Sequence, residues 1–193
     1  EIPLQPSIAL GAVDITVEDM VAAYSTFANQ GVYIKPQFIT RIEDKNGVVL
    51  YEPIPESHDV LNKDIAFAVI KLLEGVTEEG SGSRLRTQGG GYGYERVTGY
   101  PYVFTNPIAG KTGKTQNQSD GWFMGMVPNL VTGVWVGGED RSVHFESTMY
   151  GQGATMALPV WALYMKDCYN DERLAISKED FTIPPDLTIE VDC

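Results

Sequence analysis

Apolar positions recur at helical spacing early in the chain, where Val17, Met20, Val21, Tyr24, Phe27 and Ala28 share one face of a 3.6-residue repeat. Thr16 ahead of them suits an N-cap, and Glu18 and Asp19 suit the positive end of the helix dipole. Asn29-Gln30-Gly31 supplies a stop. Ile65, Ala66, Val69, Leu72 and Leu73 repeat the pattern, which predicts a second helix over 62–74 ending at Gly75. Between the two, Val32-Tyr33-Ile34, residues 38–42 and residues 48–51 surround Asp44-Lys45-Asn46-Gly47 and predict a β-hairpin over 32–51. Asn-Gly tolerates the positive φ that such turns need.

The period then disappears. Residues 76–107, with the Gly-rich runs at 78–83 and 89–94, read as one long loop. Three short apolar segments follow, near 108–115, 121–127 and 130–136, the last two separated only by Pro128-Asn129. Connections this short imply antiparallel pairing. Residues 153–168 are apolar almost all round and predict a helix buried against that sheet. The expected fold class is therefore α+β, an antiparallel sheet packed against helices. An acidic C-terminal tail over 169–193 should wrap the surface or fray.

Composition narrows the function classes. With 14 Lys+Arg against 26 Asp+Glu, the chain of 193 residues carries −12 and repels nucleic acid and anionic membranes. Its apolar fraction of 43% supports a real core, but no apolar run approaches the ~20 residues that span a bilayer. Two cysteines (Cys168, Cys193) and two histidines (His58, His144) offer no grouped ligand set, so no metal or cofactor is expected. Glu1-Ile2-Pro3 has no initiator Met, basic region or apolar stretch, and reads as a chain starting in mid-protein or after processing.

Candidate chemistry concentrates in Gly110-Lys111-Thr112-Gly113-Lys114-Thr115. A phosphate-binding loop, G-x-x-x-x-G-K-[ST], would need glycine at 105 or 108, where Thr105 and Ile108 stand, and would run straight into a helix. Residues 116–121 are instead turn-forming and lead to a strand, so that reading fails. The alternative is the Lys-Thr-Gly strand of serine acyltransferases acting on penicillins and D-alanyl peptides. There a strand edge receives the substrate as an added strand, and a glycine lets the two backbones approach. A lysine and a threonine meet the peptide's carboxylate.

The surrounding residues carry the resemblance further. Residues 110–115, Asp120-Gly121-Trp122-Phe123-Met124-Gly125, Gly133-Val134-Trp135-Val136-Gly137, the helix and stop over 17–32, and 151–161 resemble, in order, the transpeptidase domain of class A (bifunctional) penicillin-binding proteins. Over 1–168 the chain resembles the C-terminal portion of that domain, and the expected fold is correspondingly incomplete. The resemblance implies cross-linking of peptidoglycan stem peptides by serine acyl transfer, on the outer face of the bacterial cytoplasmic membrane. Lys111 is then the catalytic lysine, and Thr112, Gly113, Lys114 and Thr115 bind substrate; the N–H of residue 114 donates to the oxyanion. The implied partners are the stem peptide, β-lactams and the upstream part of the same polypeptide. A membrane anchor and a glycosyltransferase domain, usual in the family, would lie elsewhere.

Two departures qualify this. None of the nine serines has Lys three places on or Asn two places on, so the nucleophile motif S-x-x-K and its S-x-N partner are expected before residue 1, and the chain alone should be inactive. Where the family commonly reads Lys-Thr-Gly-Thr-Thr, Lys114 occupies the fourth place. It is read as a solvated strand-edge lysine, as a second ammonium tightening anion binding, or as a mark of altered activity. The alternative function is a non-catalytic peptidoglycan-binding or scaffolding module of the same fold. Trp122, Phe123, Trp135 and Trp161 read as core, His144 as part of a surface turn and Asp120 as a turn cap.

Overall fold

Thr16 caps the first helix as its residue type suggests, its hydroxyl accepting from the Asp19 N–H at 3.0 Å. A computed structural model, describing residues 4–11, 13–86 and 100–190, starts α1 there, at Val17–Ala28. At its end Gly31 takes φ +92, and a Cβ there would strike the Leu61 carbonyl. That carbonyl belongs to a crossing the sequence did not suggest. β1 (Val32–Ile34) pairs with β4 (Ser57–Asp59), not with the strands that follow it. The Asn46-Gly47 hairpin is correspondingly smaller than 32–51, made of β2 (Ile42–Glu43) and β3 (Val49–Tyr51).

α2 (Lys63–Glu78) is capped by Asn62 and runs one turn past Gly75. A Cβ at Gly75 would meet nothing within 4 Å, so the glycine costs only its propensity. The extra turn buries Thr77 completely. The stretch 76–107 is thus not all loop: it begins in helix and holds a 3₁₀ turn at Ser83–Leu85. The second Gly-rich run, 89–94, and Cys193 lie outside the described residues.

The central sheet has the order β5 (Ala109–Lys114), β6 (Asp120–Val127), β7 (Leu130–Gly137), antiparallel throughout. Its residues alternate between two cores. Ala109 and Met126 pack with Phe67 and Ile70 of α2 and with Tyr24 and Phe27 of α1. Phe123 and Val127, on the other face, pack with Leu158, Trp161 and Met165. The latter all lie in α4 (Leu158–Asn170); the single helix expected over 153–168 is two, α3 (Gly153–Met156) and α4, broken at Ala157 because Pro159 lacks the N–H that a continuous helix would need. Val160, Leu163 and Tyr164 of α4 are exposed, so this helix is not buried all round. Trp161 and Phe123 are core, but Trp135 is 41% exposed. α1 meets β7 through Val21 at Gly133, and Trp135 lies one alternation beyond that cover.

The tail wraps rather than frays over its described part. α4 extends to Asn170, Asn129 in the β6–β7 turn bonds Ala175 O and the Ser177 N–H, and Phe181 is buried. Farther on, Asp64 in the first turn of α2 accepts from the Thr188 N–H (3.0 Å) and hydroxyl (2.6 Å). These two bonds, the hydroxyl's foremost, hold the Asp64 carboxyl below its ordinary value. The hold is therefore complete above the ordinary carboxylate range and is lost as pH falls through the lowered value. Proteolysis of the tail should accelerate on such acidification, and Asp64→Ala should give fast cleavage at every pH. Unchanged cleavage in that variant would show that the tail is held elsewhere.

Candidate active site

β5 has β6 on one side and, among the described residues, no strand on the other. Which backbone groups face the open side follows from pairing. The Thr115 N–H donates to Asp120 O at 3.4 Å, so 115/120 is a bonded pair. The register is unbroken from Ala109↔Met126 to Lys114↔Gly121, so bonded pairs recur at 113/122, 111/124 and 109/126. The N–H and C=O groups of Gly110, Thr112 and Lys114 therefore point outward.

Side chains add to this edge. The Lys111 ammonium folds over it and donates to Thr112 O at 2.8 Å, one of the outward carbonyls. The Thr112 hydroxyl lies 2.6 Å from that of Ser81, in the loop after α2. Lys114 is exposed, and neither lysine has an ion-pair partner among the described residues. In a chain of net charge −12, two unpaired ammonium groups at one strand edge make a local positive field.

Four of the five sequence-predicted residues thus lie together on β5. Thr115 does not join them: its hydroxyl is 2.8 Å from Ser119 Oγ and accepts from the Asp120 N–H, closing the turn into β6. Asp120 caps the same turn, accepting from the Thr115 N–H at 3.2 Å, and His144 is exposed beyond β7. Gly113 has a packing reason beside the one expected from substrate approach. A Cβ on it would lie 3.2 Å from Trp122 Cβ, and the start of α3 presses Gly153 against its backbone.

Sequence reading missed Ser81, Thr77 and Arg86. The signal for Ser81 was its flanking glycines: a Cβ at Gly80 or Gly82 would lie 2.8–3.2 Å from the backbone of Val76, so only glycine lets this loop fold back to β5. Thr77 donates to Ile108 O at 2.6 Å, and Arg86 donates to Thr77 Oγ1, Phe104 O and Asn106 O. Burial pushes the Arg86 guanidinium down from its ordinary value, with Glu78 and Glu74 drawing it back up. Among the described residues, no group of His, Cys, Asp and Glu could hold a metal ion, and no helix is long and apolar enough to cross a membrane.

Comparison with known proteins bears on this arrangement. Residues 4–157 match the family model of the penicillin binding protein transpeptidase domain. Penicillin-binding protein 1A of Aquifex aeolicus (strain VF5) is 37% identical over 180 residues, covering 93% of this chain and 22% of that protein. The chain thus spans about a fifth of the length of the curated relatives it matches. The structure of the penicillin-binding protein PonA1 from Mycobacterium tuberculosis aligns with TM-score 0.72 at 27% identity, over 95% of this chain and 45% of that one. The structure of the same protein in complex with penicillin V aligns with TM-score 0.69 at 25% identity, over 95% and 45%.

Proposed function

The chain belongs to the penicillin-binding protein transpeptidase family, in its class A branch, and from that premise we propose that β5 is the substrate-binding strand of a peptidoglycan D,D-transpeptidase. The outward N–H and C=O groups of Thr112 and Lys114, on an edge bearing two unpaired ammonium groups, carry this reading. A stem peptide adds to that edge as a further strand. Its terminal carboxylate takes the Thr112 hydroxyl, which leaves Ser81, and the charge of Lys111 and Lys114. The Lys114 N–H lies in the outward row and donates to the oxyanion. Gly113 keeps the edge slim, and Thr115 shapes the turn.

The nucleophile is a serine outside residues 1–193, in the upstream part of a longer polypeptide on the outer face of the cytoplasmic membrane. The absence of S-x-x-K among nine serines and the much greater length of the relatives support this. Its oxygen bonds the penultimate D-alanine carbonyl carbon as the C–N bond to the terminal D-alanine breaks, and the leaving amine takes the serine proton. A second stem's amine then displaces the serine oxygen, which recovers a proton. Lys111 stabilises negative charge in both steps.

Penicillin labelling tests the proposal. The full-length protein should gain one penicillin by mass, on a serine outside residues 1–193, and the 193-residue chain should gain none. Labelling of any of the nine serines here would contradict it. A full-length protein that binds peptidoglycan but takes up no penicillin would favour a non-catalytic module of the same fold.

A further inference from the structure

Alternate carbonyls on the approach to β5 are all occupied. Arg86 Nη1 donates to Phe104 O at 3.3 Å and to Asn106 O, and Thr77 Oγ1 donates to Ile108 O at 2.6 Å while accepting from Arg86 Nη2 at 3.3 Å. Asn106 is itself fixed, its amide donating to Tyr169 OH at 2.9 Å. Ile108 O belongs to the outward row that continues through Gly110, Thr112 and Lys114. At its near end that row is therefore closed by a fully buried hydroxyl and a guanidinium. A Cβ at Gly110 would lie 3.3 Å from Thr77 Cγ2, so Thr77 of α2 packs against the first residues of β5.

We infer that Thr77 and Arg86 are positioning residues that stand in for a strand partner up to Ile108, so that the open edge of β5 begins just beyond it. The inference rests on the reading of β5 as the substrate edge. Loss of the Thr77 hydroxyl leaves the Ile108 carbonyl and an Arg86 N–H buried without their partner, which is costly for buried polar groups. That cost falls on the start of β5 and not on the β6–β7 pairing.

Thr77→Val keeps the shape and removes the hydroxyl; Thr77→Ser restores it. In the 193-residue chain, amide exchange at Ala109, Lys111 and Gly113, whose N–H groups face β6, should accelerate about tenfold in Thr77→Val. Phe123 and Gly125, which face β7, should be unchanged, and Thr77→Ser should return to the wild-type pattern. In the full-length protein, Thr77→Val should lower the acylation rate constant for penicillin about tenfold, with rescue by Thr77→Ser. Equal acceleration across all three strands, or wild-type exchange and acylation in Thr77→Val, would overturn the inference. A wild-type protein that takes up no penicillin would overturn the substrate-edge reading, while the exchange pattern would still decide the positioning.

Discussion

Lys111→Ala in the full-length protein should lower penicillin acylation about 10²–10³-fold, the scale seen when one preorganised electrostatic contact to a transition state is removed. Lys111 already reaches the open side of β5, where its ammonium donates to the outward Thr112 carbonyl. In the proposed binding mode a peptide added to the edge would take over that carbonyl and free the ammonium for the substrate's charge. Lys114 supplies charge to the same edge, but its backbone N–H is the proposed oxyanion donor and survives any side-chain change. Lys114→Thr should therefore have the smaller effect. The order matters as much as the size: a Lys111→Ala protein that acylates at the wild-type rate would mean that the edge is not the substrate site.

Gly153→Ala should destabilise the chain severely. A Cβ there would lie 2.5 Å from Gly113 O and inside contact distance of Trp122 O, both backbone atoms of the paired strands β5 and β6. Neither can swing aside as a side chain could, so α3 must lift from the sheet, at about 3 kcal/mol. Lifting α3 also releases the backbone of Gly113, and acylation should fall with stability. Gly75→Ala is the control. No atom lies within 4 Å of its Cβ inside α2, so alanine should stabilise the chain by about 0.5–1 kcal/mol. Urea unfolding of both variants reads the contrast; equal stability would show that α3 does not bear on Gly113 as described.

Local signals in the sequence were sound where local physics governs. Thr16 and Asn62 cap helices, Asn46-Gly47 turns a hairpin, and the three apolar segments after residue 107 form one antiparallel sheet within a residue or two of their expected bounds. What escaped depends on partners distant in sequence. Ser57-His58-Asp59 is polar and exposed, with nothing in its pattern to mark a strand, and becomes one only because β1 lies beside it. Gly75 reads as a helix stop, yet α2 continues because Thr77 finds Ile108, 31 positions away. The break at Ala157 was legible in Pro159 and was outweighed by the apolar run around it. At the candidate site, Lys111 to Lys114 could be named from the Lys-Thr-Gly motif and the family resemblance around it, and one strand carries them. Ser81, Thr77 and Arg86 reach that strand through a loop fold that only the glycines at 80 and 82 foreshadow.

The crystal structure of the full-length protein after reaction with penicillin tests the role of β5 most directly. The acyl group should sit on a serine outside residues 1–193, with its carbonyl oxygen about 2.7–3.1 Å from the Lys114 backbone nitrogen. The ligand carboxylate should hydrogen-bond the Thr112 hydroxyl beside the Lys111 ammonium, with the Ser81 contact released. An acyl group bound away from the edge of β5, or an edge occupied by another strand of the protein, would contradict the account.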